Sequence, residues 1–184
     1  MRQAAPQSIS LAMKIPNPII ERITNRPVQI GALILLAAEQ QDGGGVPCAG
    51  TPFFGLQLPS FQRPLVWTEA QSVRFIESAY MGFELGTYVV NSVLSVTMNM
   101  DVAAKYDGLL IDGQQRINAI RGYVNNEFKV FGYLWSELDP GDQMRFRRVV
   151  FSRGEITTTD DAVLRELYNR LNFGGTAHTE DQRA

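Results

Sequence analysis

The stretch Leu109-Leu110-Ile111-Asp112-Gly113-Gln114-Gln115-Arg116 allows few folds, because an apolar run breaks into a polar cluster with a glycine at the break. Three apolar residues in succession read as a buried strand, and Gly113 permits the tight turn that ends it. From Gln114 the spacing turns helical, with Ile117, Ile120 and Val124 on one face. The junction is therefore strand, acidic-glycine turn, helix. Unpaired backbone N–H groups and the positive end of the helix dipole collect at such a junction, so it suits an anion, phosphate above all. Arg116 offers that phosphate a bidentate fork. A plainer alternative fits the same residues: Asp112 caps the helix and Arg116 sits in a surface ion pair.

The rest of the chain sets bounds on this reading. Its 184 residues suffice for one domain with a real core, and 45% hydrophobic with 20% charged residues is ordinary for a globular protein. The longest apolar run, Ala32 to Ala38, is too short to span a membrane, and no basic segment precedes it as in a secretory signal. The expected location is the cytoplasm. With one cysteine, Cys48, and one histidine, His178, neither an internal disulfide nor a Cys- or His-rich metal site is expected. A net charge of −2 gives no global field for nucleic acid. The bias of 14 arginines to 3 lysines leans towards phosphate partners, although a GC-rich genome produces the same bias.

Four prolines in the first 27 residues predict an extended arm with at most a brief helix, and residues 28–184 read as a single domain. Val28 to Gln41 is an expected helix, apolar nearly all round and hence buried. The glycine-rich 42–50 segment is a loop, and Phe53 to Leu58 a strand. Thr68 and Gln71 have capping-box spacing for a helix whose inner face is Val73, Ile76, Tyr80 and Phe83. Thr87 to Val96 reads as a strand, 97–107 as a loop and Glu127 to Val130 as a short strand after an Asn-Asn turn. Pro140 opens a helix to about Arg148, and Val149 to Phe151 is strand-like. A last long helix is capped by Asp160 or Asp161, turns Val163, Leu164, Leu167 and Leu171 inward, and is ended by paired glycines.

Three segments combine an arginine or carboxamide with a conformationally special residue at the edge of an element. They are Phe61-Gln62-Arg63-Pro64-Leu65-Val66-Trp67, Ile111 to Arg116, and Arg170-Leu171-Asn172-Phe173-Gly174-Gly175-Thr176. In this order the three boxes resemble the N-terminal domain of the GmrSD-type restriction endonucleases, from about Val28 onwards. The resemblance implies an α/β (α+β) fold related to ParB and sulfiredoxin, a mixed sheet with surrounding helices. It also implies nucleoside-triphosphate-dependent action in systems that restrict modified foreign DNA. By this resemblance Arg63, Asp112, Gly113, Gln114, Gln115 and Arg116 line a nucleotide pocket, with Asn172, Gly174 and Gly175 as its other wall. Two departures stand out: the sequence ends without the helical region and HNH nuclease domain usual in the family, and His178 stands where an apolar residue is usual. The expectation is a minimal, stand-alone relative, from a mobile element or virus such as a phage.

The chemistry requires the same residue types independently. Arg63, Arg116 and the Gly174-Gly175 backbone supply donors that neutralise phosphate. Hydrolysis needs a group to hold Mg²⁺ or orient water, and Asp112 is the best-placed carboxylate, with Gln114 or Gln115 as a water-positioning carboxamide. Arg63 and Trp67 can equally be a packing pair, the two glycines a simple helix stop, and His178 a solvated residue. Arg145, Arg147, Arg148 and Arg153, interleaved with Phe146 and Phe151, have the composition of a nucleic-acid track, although the spacing favours a solvated helix face. Three functions follow as expectations. The first is a nucleoside-triphosphate-binding domain that hydrolyses its ligand weakly. The second is a metal-dependent DNA nickase. The third is a non-catalytic homologue that binds DNA or a protein partner.

Overall fold

The computed structural model describes residues 18–20, 22–94, 96–97 and 99–173, apart from 42–50. The 1–17 part of the expected arm, the 42–50 loop, Cys48, Gly174, Gly175, Thr176 and His178 lie outside the described residues.

The apolar run at 109–111 is the middle of the architecture. Strand β5 (Leu109–Asp112) lies inside a mixed six-stranded sheet of order β1-β6-β4-β5-β3-β2. The other strands are β1 (Thr24–Gln29), β2 (Thr51–Phe53), β3 (Leu56–Leu58), β4 (Thr87–Asn91) and β6 (Val150–Ile156). β5 runs antiparallel to β4 and parallel to β3, while β4 is parallel to β6. Both faces of the sheet are covered, which is why Leu109, Leu110 and Ile111 of β5 are all apolar and buried, and not merely alternate ones. Leu110 joins a larger core with Ile30, Leu33, Ile76, Tyr88 and Phe151. Its neighbours Leu109 and Ile111 face a smaller core with Val89, Leu164, Leu167 and Tyr168.

Among the described residues six α-helices surround the sheet: α1 (Ile30–Gln41), α2 (Glu69–Tyr80), α3 (Met100–Tyr106), α4 (Gln114–Val124), α5 (Pro140–Arg147) and α6 (Asp161–Phe173). The predicted capping box of α2 is present, with Thr68 and Gln71 bonded reciprocally. Asp160 caps α6, its carboxylate accepting from Ala162 N–H at 2.8 Å and Val163 N–H at 3.3 Å. This mixed α/β fold is the expected class.

Several local expectations are corrected. The boundary expected at 27/28 falls inside β1, because Thr24 to Gln29 pair antiparallel with Glu155 to Val150. That pairing also delays α1 to Ile30. Helix α1 is buried on one side only, at Ile30, Leu33 and Ala37, and Leu35 is exposed. The single strand expected at 53–58 is a tight hairpin, since Phe54 and Gly55 both have positive φ (49° and 80°). Segment 97–107 contains α3, with Asn99 Oδ1 accepting from Asp101 and Val102 N–H. Phe83 lies past the end of α2 and is exposed. The expected 127–130 strand reduces to one bridge between Val130 and Tyr133, closed by a turn with Phe131 and Gly132 at positive φ.

Phe146 and Phe151 are fully buried, so neither can stack on a base. Replacing Phe151 by Ala removes a ring that packs on Tyr88 and Phe75 and should cost about 3–5 kcal/mol in denaturant unfolding. A loss below about 1 kcal/mol would contradict its place in the core.

Candidate functional site

The turn between β5 and α4 has room for only one residue type. Gly113 has φ +102°, and a Cβ there would lie 2.5 Å from Tyr88 Cβ. Glycine is required twice over, by conformation and by space. It is also the N-cap of α4, so no side chain caps the helix and Asp112 does not take that part. The first-turn N–H groups and the dipole of an eleven-residue helix are thus left to whatever lies in front of them. The Tyr88 backbone and Cβ lie against this turn, and burial pushes its phenol up to about 12.

In front of the turn lies a cleft of about 220 Å³. Gln62, Arg63 and Trp67 line it from the first box, Asp112 to Arg116 from the second, and Leu171 and Asn172 from α6. The described members of the three boxes therefore meet in one place, although about 50 residues separate each from the next. Asn172 belongs to the last turn of α6 and not to a glycine turn, and its Nδ2 donates to Tyr168 O at 3.0 Å.

The loop 61–67 has no regular structure and is fastened by side chains. Gln62 Nε2 donates to Leu110 O at 2.8 Å. Gln115 Oε1 accepts from Val66 and Trp67 N–H, both at 3.0 Å, while its Nε2 donates to Pro64 O at 3.3 Å. These bonds commit both ends of the Gln115 carboxamide to the loop, which corrects its candidacy for positioning water. Gln114, one residue earlier, lines the cleft while only 7% exposed, and its Oε1 is buried without a hydrogen-bond partner. An unpaired buried acceptor is costly, and a ligand or water that donates to it recovers that cost.

The two arginines differ in the same way. Arg116 does not project freely from the helix. Its Nη2 donates to Asp112 Oδ2 at 2.6 Å, its Nη1 donates to Leu85 O at 3.2 Å, and it lies over the Phe151 ring at 5.6 Å. Gly86 makes room for it, since a Cβ there would approach Nη1 to 2.8 Å. The guanidinium joins the β5–α4 turn to the α2–β4 connection and lines the cleft with what remains of its donors. The side chain of Arg63, by contrast, is exposed and has no ion pair among the described residues.

The basic patch expected for nucleic acid is dispersed. Arg145 pairs with Asp142 at 3.2 Å and lies over Tyr80, whereas Arg147 lies over Trp135. Arg148 ends α5, and Arg153 is on β6, paired with Glu155 at 2.9 Å. With both phenylalanines buried, the interleaved track does not exist. The sequence reading passed over Gln62, Trp67 and Leu171 as site residues, although all three stand inside the boxes it had marked.

A mixed α/β domain with a polar cleft at a strand–helix junction is thereby defined. The family model of the GmrSD restriction endonuclease N-terminal domain matches residues 48–148, more than half of the 184-residue chain, and the chain belongs to that family. The match includes the first two boxes and stops short of the third. Comparison with curated proteins and with solved structures gave no match. Among the described residues no helix is long and apolar enough to cross a membrane.

The contrast between the two arginines is testable by thermal melting. Arg116→Ala should destabilise the domain by about 1–2 kcal/mol, because it removes an ion pair that is roughly three-quarters buried together with a bond to backbone. Arg63→Ala should leave the melting temperature unchanged.

Proposed function

We propose that the cleft takes the phosphate chain of a nucleoside triphosphate and that the domain hydrolyses this ligand slowly, in the service of a system that restricts modified DNA. One observation carries the reading: an uncapped helix N-terminus shares a cleft with an arginine that has no ion-pair partner among the described residues. The cleft suits a phosphate chain better than a whole nucleotide, since pockets that enclose larger ligands run to about 300–1,000 Å³. The sugar and base then extend past Arg63 and Trp67 towards solvent.

Gln114 supports the hydrolytic part. Phosphate oxygens only accept hydrogen bonds, so they cannot satisfy its buried Oε1. A rotation of the carboxamide that brings this buried oxygen to the cleft lets a water molecule donate to it and direct a lone pair at the terminal phosphorus. Such a carboxamide orients the nucleophile without being a strong base, which agrees with slow turnover.

A magnesium ion fits here only if the nucleotide brings it. Among the described residues no group of three or more His, Cys, Asp or Glu side chains is placed to hold a metal. Asp112, the single carboxylate lining the cleft among the described residues, would be its protein ligand, and the ion would neutralise phosphate charge. The metal-dependent nickase draws no support from the same acidic residues. A role in contact with DNA, or with a protein partner, remains part of the proposal through the family and not through the arginine patch.

Calorimetric titration with each of the four ribonucleoside triphosphates, with and without Mg²⁺, combined with phosphate-release assays, tests the reading. Saturable binding and slow release are expected. Arg63→Ala should weaken binding by about 1.5–3 kcal/mol, one to two decades in Kd. Gln114→Met should slow release about a hundredfold while binding and melting temperature hold. Absence of binding to all four nucleotides would leave the non-catalytic, partner-binding alternative in possession.

A further inference from the structure

We infer that Tyr168 is a positioning residue for Arg63, so that an arginine with no ion pair among the described residues is held in place from α6; the inference rests on the nucleotide reading above. The Arg63 backbone N–H donates to Tyr168 Oη at 3.1 Å across 105 residues of sequence. One turn of loop away, the Phe61 ring meets the Tyr168 ring edge-on at 5.4 Å, and the Arg165 guanidinium lies over Phe61 at 4.8 Å. Tyr168 itself is nearly buried in the smaller core, among Ile111, Leu164 and Leu167. Gln115 fastens the far end of the loop, at Pro64, Val66 and Trp67. Tyr168 bonds the Arg63 backbone directly, and its ring is anchored in the smaller core.

A long side chain can serve a phosphate only if its backbone is already in place, because ordering it during binding subtracts from affinity. The loop thus has a fixed main chain and one uncommitted guanidinium. This bond comes from a helix outside residues 48–148 and adds to the bonds by which Gln62 and Gln115 hold the loop on either side of Arg63.

The test is a double-mutant cycle in the full chain with Tyr168→Phe, Arg63→Ala and the pair, read by Kd and by steady-state phosphate release with the best-bound nucleoside triphosphate. Tyr168→Phe keeps the ring packing and should raise Kd and KM about tenfold with kcat within about twofold. In the Arg63→Ala background the same change should have no further effect. Equal effects of Tyr168→Phe in both backgrounds, or none in either, would overturn the inference. If the wild-type chain binds no nucleotide, the nucleotide reading fails, and amide exchange of the 61–67 peptide decides the positioning separately. Faster exchange in Tyr168→Phe then keeps Tyr168 as the residue that holds Arg63, and unchanged exchange removes it.

Discussion

Everything in the cleft depends on a backbone that turns from strand to helix over the Cβ of Tyr88. At Gly113 a side chain has neither an acceptable φ nor a place to go. This one constraint brings α4 down with its N-terminus open and aims its first residues into the same space. Because glycine also caps the helix without a side chain, the first-turn donors are not consumed internally. The usual Ser or Asp cap is thus excluded here, and the site stays open.

The second box contains two adjacent glutamines that composition cannot tell apart. Helix geometry turns successive residues by about 100°, and that rotation separates their tasks. Gln115 faces the loop from the first box and replaces the backbone partners it lacks. Gln114 lines the cleft, its Oε1 buried and without a hydrogen-bond partner among the described residues. The arginines are divided similarly: one guanidinium is spent on joining two connections, the other is not. Scaffold and candidate chemistry thus alternate along a few residues, each scaffold residue holding its neighbour in position.

How much of this the sequence displayed depended on the range of the forces involved. Local signals were readable: the Thr68 capping box, Pro140 at the start of α5, and the apolar-to-helical switch at Gly113. Elements decided by distant partners were not. Thr24 to Pro27 look like a proline-punctuated arm until β6 lies alongside, and Leu35 looks like core until α1 is seen to be covered on one side. α3 was overlooked although Asn99 and Asp101 are ordinary capping residues. At the site, residue types and convergence were legible, but commitments were not. That Arg116 is tied to Leu85, or that Gln115 reaches back to Pro64, requires contacts across 31 and 51 residues that no periodicity encodes.

The order β1-β6-β4-β5-β3-β2 leaves β1 and β2 at the two rims of the sheet as described, and each contains a proline, Pro27 and Pro52. A rim strand offers its free N–H and C=O groups to any extended chain that comes near, including another copy of the same protein. Proline deletes one donor from each row, and β2 is only three residues long. Both rims are therefore poor templates for a further strand. A domain made this way resists growth into continuous sheets, and contacts with other macromolecules fall to its helices and loops, the surfaces that also frame the cleft.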